Sequence, residues 1–470
     1  MNEVIHAILT RTSVRKFTDQ KIEEEKLKII ADCARASPTG KNRQARKFTV
    51  IQNSEKIQKL AQAIAKTLNR SDYRIYDCNA IILISFAEDD IYGQCDSSCA
   101  IENIYLAAAS MGLGAGAWGT AVASALARNG HTVMLWSRSL DVCTSINNEH
   151  VNKKYLPDYQ LPHSVSAFSD MQKVCSGALV LFLASPSLYL IDTVKRLLTC
   201  SPFNAGNGAL PYPLIAVLTK GFIPGENGEP QLIIETLEKM LPDFYRNHLV
   251  YVAGPSHGEE VAAGKLTGLI AASKNPLSAI RCREILKSRN LLVYSSLDII
   301  GVQVCAATKN VIAIAFGMLD ALTEKSDFFG DNTESLLLAA GLNEIQIIGR
   351  ALGATHPETF TSISGIGDLD VTCRSKYGRN RKFGREIITA DILQPFTGID
   401  DLIAHIGSIG YLPEGIVACS YLSKLAVKYD LRLPLCAGLY KILNKELYPA
   451  EFIENLLSDS KTSQKTWLDF

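Results

Sequence analysis

Residues 114–120, Gly-Ala-Gly-Ala-Trp-Gly-Thr, run into Ala121-Val-Ala-Ser-Ala-Leu-Ala-Arg-Asn-Gly130 and then His131-Thr-Val-Met-Leu-Trp-Ser-Arg138. Gly114, Gly116 and Gly119 have the GxGxxG spacing, in which the first glycine makes a tight turn, the second admits a pyrophosphate and the third lets helix and strand pack closely. The stretch predicts a dinucleotide site with Gly114, Gly116, Ala117, Trp118 and Gly119 around the phosphates. A helix is expected from Gly119 to about Arg128, stopped by Asn129-Gly130. The strand after it, Thr132 to Trp136, ends at Ser137-Arg138, about 20 residues beyond the first glycine, where the ribose-reading residue belongs. An acidic residue there would favour NAD. Ser137 and Arg138 suit a 2′-phosphate, so NADPH is accepted; a solvated strand-end arginine is the competing reading.

Downstream the alternation continues, with a helix at 140–149, a strand at 178–184, a helix at 188–199, and strands at 214–219 and 249–253. Repeated strand and helix units predict a doubly wound parallel sheet. Ser185-Pro-Ser187 and Thr219-Lys-Gly221 fall at carboxyl ends of strands, where ligands bind in such sheets. Beyond about Asp298 only helical periodicity remains, at 302–319, 333–352, 380–389, 400–405, 414–429, 434–444 and 449–457, followed by a loose tail from Ser458. The expected fold is therefore an α/β Rossmann-type sheet over 114–298 and an all-α domain over 299–470, with an extra α/β segment at 1–113.

The 470 residues carry 48 basic and 48 acidic side chains, so no overall field points to nucleic acid or an anionic membrane. The N-terminus lacks the apolar stretch of a signal peptide, and a cytoplasmic location is expected. The run Val302–Leu319 approaches membrane-span length, but Thr308, Lys309 and Asn310 interrupt it, which predicts a buried helix and no membrane span. The 12 cysteines are scattered and no metal-ligand spacing occurs, so reduced thiols and no metal are expected.

The segment before Gly114 also alternates: helices at 4–9, 26–36, 56–68 and 99–111, strands at 47–52 and 80–86. Two loops stand out, Arg11-Thr-Ser-Val-Arg15 and Ser37-Pro-Thr-Gly-Lys-Asn-Arg-Gln44, since arginines flanking a serine can hold a phosphate. With Asp77-Cys-Asn-Ala-Ile-Ile-Leu-Ile-Ser85 and the helix from Ala100 to Gly114, they resemble the front half of the FMN-dependent nitroreductase family. The resemblance implies FMN contacts at Arg11, Ser13, Arg15 and Asn42. It stops at about residue 114, and the family's later strands and basic phosphate residues have no counterpart, so FMN is not expected to bind.

Lys309 lies in Gly301-Val-Gln-Val-Cys-Ala-Ala-Thr-Lys-Asn-Val-Ile-Ala-Ile-Ala-Phe-Gly317, a helix apolar nearly all round. A buried ammonium needs a partner or titrates low, as a lysine acid/base requires; snorkelling to a domain edge is the rival. Gly365-Ile-Gly-Asp-Leu-Asp-Val-Thr-Cys373 sets Asp368 and Thr372 four apart on one helical face, with Asp368 either a partner for a lysine or a helix cap. Arg374-Ser-Lys-Tyr-Gly-Arg-Asn-Arg-Lys-Phe-Gly-Arg385 gathers six basic residues at a helix start, which suits a phosphate site; on composition alone a solvated basic face is the commoner outcome, and nucleic-acid binding is weaker without interleaved aromatics.

Residues 114–457 resemble bacterial NAD(P)-dependent glycerol-3-phosphate dehydrogenase. The motifs are the glycine stretch, Asn152-Lys-Lys-Tyr-Leu-Pro157, Leu218-Thr-Lys-Gly221, Ala253-Gly-Pro-Ser-His-Gly-Glu-Glu-Val261, Thr308-Lys-Asn310, Gly365–Cys373, Gly378-Arg-Asn-Arg381 and Pro413-Glu-Gly415. The resemblance implies Lys309 as general acid/base, with Lys220 and Asp368 beside it in the catalytic group. It implies substrate contacts at Lys220, Gly254, Lys309, Asn310, Asp368, Thr372, Arg379 and Asn380, with Arg379 on the phosphate. Lys220, Ser256, Arg379 and Glu414 join the glycine stretch, Ser137 and Arg138 as cofactor-side residues. His257 is expected to be structural, and Gly258 stands where alanine is usual.

The implied reaction is reversible reduction of dihydroxyacetone phosphate to sn-glycerol 3-phosphate with NADH or NADPH, feeding phospholipid synthesis. A phosphorylated triose is the partner, and a homodimer is left open. The family begins with a β-branched strand leading into the first glycine, whereas Ala108 to Leu113 belong by resemblance to a nitroreductase helix. Either those residues are drawn into the strand or the sheet is damaged at its centre. A flavin-binding or bifunctional protein and an inactive joined product are the alternatives.

Overall fold

The computed structural model describes residues 46–67, 80–86 and 116–452, apart from 176–177, 201–202, 204–212, 226–227 and 376–377, together with the helical positions Leu27, Ile30, Ala31, Ala34 and Arg35. The expectations for 4–9, 11–15, 37–44, 99–113 and the tail from 458 lie outside the described residues. Two compact units divide the chain: Met1–Leu113 with His405–Tyr411, and Gly114–Ala404 with Leu412–Phe470.

In the first unit, β1 (Arg46–Ile51) pairs antiparallel with β2 (Ile81–Phe86), from Arg46 opposite Phe86 to Ile51 opposite Ile81. Between them runs α1 (Ser54–Thr67), where Asn53 Oδ1 accepts the Lys56 N–H at 3.0 Å and so satisfies one of the free donors of the first turn.

The second unit opens on α2 (Ala117–Arg128), which ends at Asn129 and Gly130, the latter at φ +86°, as the Asn-Gly stop predicts. Next come β3 (Val133–Trp136), α3 (Leu140–Glu149) and β4 (Val165–Phe168), with β3 and β4 pairing parallel. After them follow β5 (Val180–Leu183), α4 (Ser187–Leu198), β6 (Leu214–Val217), β7 (Val250–Ala253), α5 (Gly258–Ala262), β8 (Thr267–Ala272), α6 (Pro276–Leu286) and β9 (Leu291–Ser296). The larger sheet has the order β9-β8-β7-β6-β5.

One feature corrects the expected all-parallel sheet. β5, β6 and β7 are parallel, but β8 runs antiparallel to β7 and β9 follows β8, so the far edge is reversed. The reason is the short α5 and a turn at Gly264 (φ +72°), which fold the chain back in place of a full crossover. Among the described residues β3 and β4 form one pair and β5–β9 one five-stranded sheet, and the strand expected before Gly114 lies outside the described residues. Both sheets lean on α2: Ala121, Val122, Ala125 and Leu126 pack with the β6–β9 core, while Ala123 and Ala127 pack with Val165, Ala167 and α3.

The helical part is built on α7 (Ile299–Thr323), whose residues are buried almost without interruption. It is long and apolar enough to cross a membrane, yet 94% of the relevant window is buried within the protein, which makes it a core helix. Around it lie α8 (Asp331–Ala351), α9 (Asp368–Arg374), α10 (Arg379–Thr389), α11 (Glu414–Tyr429) and α12 (Pro434–Leu443). The crossing of α7 and α10 is very close: a Cβ at Gly317 would lie 1.9 Å from the Arg381 carbonyl oxygen, and one at Gly384 would lie 1.9 Å from that of Ile314. Only glycine fits at either position. Buried Glu344 of α8 accepts the Leu435 and Cys436 N–H groups at 2.5 and 3.0 Å, closing the start of α12.

Candidate functional site

The glycine turn forms one side of the site. Gly114 lies outside the described residues. Gly116 is the N-cap of α2 with no side-chain cap, so the first N–H groups of the helix are left for another acceptor. A Cβ at Gly116 would meet no heavy atom within 4 Å, whereas one at Gly119 would approach the Ala184 Cβ at 3.2 Å. The second glycine thus keeps an approach open and the third lets α2 sit tight against the end of β5, as the spacing predicts. Trp118 carries an indole N–H that is buried without a partner among the described residues. These features fit a bound dinucleotide. Thr120 Oγ1 donates to the Gly116 carbonyl at 3.1 Å and accepts from Asn152 Nδ2 at 2.8 Å, which ties the Asn152–Pro157 motif to the turn. That tie was not legible in the sequence, because the two residues lie 32 positions apart.

At the end of β3, Ser137 is fully buried and its hydroxyl accepts the Ser139 N–H at 3.2 Å, so it shapes the turn. Arg138 is half-buried among Tyr155, Tyr189 and Asp192, and burial lowers the pKa of its guanidinium.

The chemical centre is a shared carboxylate. Asp368, fully buried, begins α9 directly after the glycine-rich turn. Its Oδ1 is in contact with Lys309 Nζ, and its Oδ2 lies 3.1 Å from Lys220 Nζ. Lys309 reaches it from the middle of α7 and is itself buried. Lys220 follows β6 and also donates to the Gly254 carbonyl at 3.1 Å and to Ser256 Oγ at 3.2 Å. Gly254 sits at φ +146°, and a Cβ there would lie 2.6 Å from the Gly268 carbonyl oxygen, so glycine is required where the loop turns back over β8. Burial pulls the Lys309 pKa down, Lys220 pulls it further, and Asp368 opposes them; the net shift is well below the ordinary lysine range. Snorkelling is thereby excluded for Lys309, and Asp368 pairs with both lysines where a simple cap would pair with none.

The other expected residues gather here too. Thr372 Oγ1 donates to the Asp368 carbonyl at 2.6 Å, one turn back on α9. Asn310 follows Lys309 on α7, and a Cβ at Gly415 would come 2.5 Å from its carbonyl oxygen, bringing the start of α11 against it. Asn380 Oδ1 accepts the Gly415 N–H at 2.9 Å. Glu414 is the first residue of α11; burial raises its carboxyl pKa, with Arg379, Lys220 and Lys309 opposing the shift. His257 Nε2 lies 3.4 Å from the Val371 carbonyl, and burial lowers its pKa, in keeping with a structural place. Gly258 packs on Ala117, where a Cβ would stand 3.3 Å from the Ala117 carbonyl carbon. The Gly254–Val261 motif thus touches the glycine turn at one end and Lys220 at the other.

The basic run at 374–385 needs correction. Arg374 pairs with Asp370 and Glu334, Arg381 with Asp320 through two hydrogen bonds, Arg385 with Glu324, and Lys382 with Glu386. The acids come from α7 and the residue just after it, from α8 and from the run's own helices, at separations of up to 61 residues, so composition could not show them. Arg379 is exposed at the first position of α10 and has no ion pair or hydrogen bond among the described residues. The local excess of charge therefore reduces to Arg379 beside a helix N-terminus; Lys376 lies outside the described residues. Among the described residues no group of three or more His, Cys, Asp or Glu is gathered for a metal.

A dinucleotide-type glycine turn beside a low-titrating lysine on a shared carboxylate defines an oxidoreductase built on a Rossmann domain and a helical domain. Family models sharpen this: the NAD-dependent glycerol-3-phosphate dehydrogenase N-terminus matches residues 111–279 and its C-terminus matches 298–454, while the nitroreductase family matches 8–128. The chain is 72% identical over 345 residues to glycerol-3-phosphate dehydrogenase [NAD(P)+] of Treponema denticola, covering 73% of this chain and 97% of that one. It is 56% identical to the Treponema pallidum enzyme of the same description over 348 residues, covering 73% and 98%. The crystal structure of glycerol-3-phosphate dehydrogenase from Coxiella burnetii aligns with a TM-score of 0.61 at 30% identity, covering 74% and 97%. The chain belongs to the NAD-dependent glycerol-3-phosphate dehydrogenase family. The nitroreductase match and the dehydrogenase match overlap over 111–128, so the first runs past residue 114 to the end of α2.

Proposed function

We propose that this chain is an NAD(P)-dependent glycerol-3-phosphate dehydrogenase that interconverts dihydroxyacetone phosphate and sn-glycerol 3-phosphate in the cytoplasm, in supply of phospholipid synthesis. The observation that carries the reading is the meeting of Lys220, Lys309 and Asp368 from three separate elements. The nicotinamide, when bound, supplies or accepts the hydride at the substrate C2. Gly116, Ala117, Trp118 and Gly119 would hold its pyrophosphate, with Ser256 and Glu414 on the same side. Arg138 would meet a 2′-phosphate, which makes NADPH accepted.

In the reductive direction Lys309 donates a proton to the C2 oxygen, and its ammonium, with Lys220, stabilises the negative charge that develops there. Asp368 holds the Lys309 and Lys220 side chains together and supports the ammonium form of Lys309 against burial. Asn310, Thr372, Asn380 and the Gly254 loop surround the triose. Arg379 grips its phosphate, and that remote contact orients the reacting carbon. In the oxidative direction neutral Lys309 takes the hydroxyl proton.

The test is fluorescence titration with NADPH and NADH, followed by assays of dihydroxyacetone phosphate reduction by the wild type and Lys309→Ala. Cofactor binding and loss of turnover in the variant are expected; no binding, or unchanged turnover, defeats the proposal. Flavin absorbance in the purified protein would favour the bifunctional alternative. Sedimentation settles whether the active species is a homodimer.

A further inference from the structure

We propose that Asp298 and Thr359 form a positioning node that sets the geometry of the Lys309–Asp368 pair from outside the site. The idea rests on the reading of Lys309 as the acid/base. Asp298 is 2% exposed and caps α7, its Oδ1 accepting the Gly301 N–H at 3.0 Å. The same carboxylate also accepts the Thr355 N–H at 3.2 Å, the His356 N–H at 3.4 Å and the Thr359 hydroxyl at 2.7 Å. A helix cap needs only one or two donors from its own first turn. The other three bonds pin a distant strap, 57 to 61 residues further along the chain.

That strap leads straight to Asp368. Ser362 Oγ donates to the Thr359 carbonyl at 2.7 Å, and the N–H groups of Gly365 and Gly367 both donate to the Ser362 carbonyl at 3.2 Å. A Cβ at Gly365 would lie 2.0 Å from the Phe360 carbonyl oxygen, so the turn is pressed directly on the pinned residues. Asp368 is the next helical residue after Gly367. One carboxylate therefore holds the first turn of the helix that carries Lys309 and the root of the turn that carries Asp368. Lys309 stands 11 residues beyond Asp298, about 16 Å along the helix axis, so Asp298 acts through these two elements and not by contact.

The informative variant is Thr359→Val, which keeps volume and charge and removes one donor. Two readouts separate positioning from simple capping. The first is kcat against KM for dihydroxyacetone phosphate. The second is the pH midpoint for acetylation of Lys309 by acetic anhydride, followed by mass spectrometry in protein without substrate. The groups that bear on this titration are Asp368 and Lys220 in contact, with Cys305, Cys373, His257 and Glu414 beyond.

Loosening Asp368 should lower kcat about tenfold with KM within about twofold, since small misplacements at a reacting centre are costly. It should also move the Lys309 midpoint to lower pH, because a less well-held carboxylate supports the ammonium less. Thr359→Ser should restore both. Asp298→Asn should change both in the same direction, and it carries the test if Thr359→Val does not fold. Loss of thermal stability alone, with kcat and midpoint unchanged, or failure of serine to rescue, overturns the node. The labelling needs no turnover, so an inactive wild type would defeat the proposed function and leave this test standing.

Discussion

Asp368→Asn removes one charge and almost no volume from a place where two ammonium groups converge. At contact distance, a carboxylate and an ammonium interact by about 4 kcal/mol at an effective dielectric near 20. At 1.36 kcal/mol per unit this corresponds to about three pKa units of support for the Lys309 ammonium. Burial and Lys220 already hold that pKa below the ordinary lysine range, so without the carboxylate the Lys309 ammonium is favoured still less and its pKa falls further. Reduction needs the protonated lysine, and its rate falls as pH rises through the Lys309 pKa. In Asp368→Asn that falling limb should shift to lower pH, and at neutral pH kcat should drop by about a hundredfold to ten-thousandfold, the range general acid catalysis supplies. The assay is NADPH oxidation followed by absorbance from acid to alkaline pH, with thermal melting to show that the fold persists. A falling limb left at the wild-type position would refute the role of Asp368 as the charge partner, whatever happens to kcat.

Other changes separate the roles of neighbouring residues. Arg379→Ala should raise KM for dihydroxyacetone phosphate by tenfold or more with little change in melting temperature, because it loses a charge-assisted contact of about 1.5–3 kcal/mol made only to ligand. Arg381→Ala, two residues on, should do the reverse: melting falls with the loss of the Asp320 pair, while KM moves little, and steady-state kinetics beside calorimetry reads both. Arg138→Ala should narrow the difference between NADPH and NADH affinity in fluorescence titration, and an unchanged ratio would remove Arg138 from the ribose site. Gly384→Ala should destabilise by roughly 1–3 kcal/mol or more, since its Cβ would stand 1.9 Å from the Ile314 carbonyl oxygen and must push α7 and α10 apart. A melting temperature equal to wild type would contradict that.

Much of this was legible along the chain where chemistry is local. The glycine turn, the Asn-Gly stop of α2, and the pairing of Asp368 with Thr372 on one turn all depend on residues within a few positions of one another. Lys309 also announced itself, because an ammonium in the middle of an apolar helix has few stable alternatives. The reversed edge of the sheet was not visible: the strands at 267–272 and 291–296 were not read from the sequence, β9 being an edge strand with alternately exposed side chains, and the direction of the edge is set by the short connection through α5. Nor was the fate of the basic run. Arg381 and Asp320 are adjacent only because α10 crosses α7 at two glycines, and no count of charge along the sequence reports a crossing.

That crossing has a consequence for how such a chain can diverge. α7 has almost no free surface on which a substitution could be hidden, and its nearest approach to α10 is made by backbone against backbone. A larger residue at 317 cannot be absorbed by a rotamer change on the other helix, since the obstacle is the Arg381 carbonyl oxygen. Positions 317 and 384 are therefore coupled, since each glycine faces a backbone carbonyl of the other helix that any residue at 381 or 314 would supply. Among related chains they should either both be kept or change together, with a new helix spacing and a displaced Lys309 as the result.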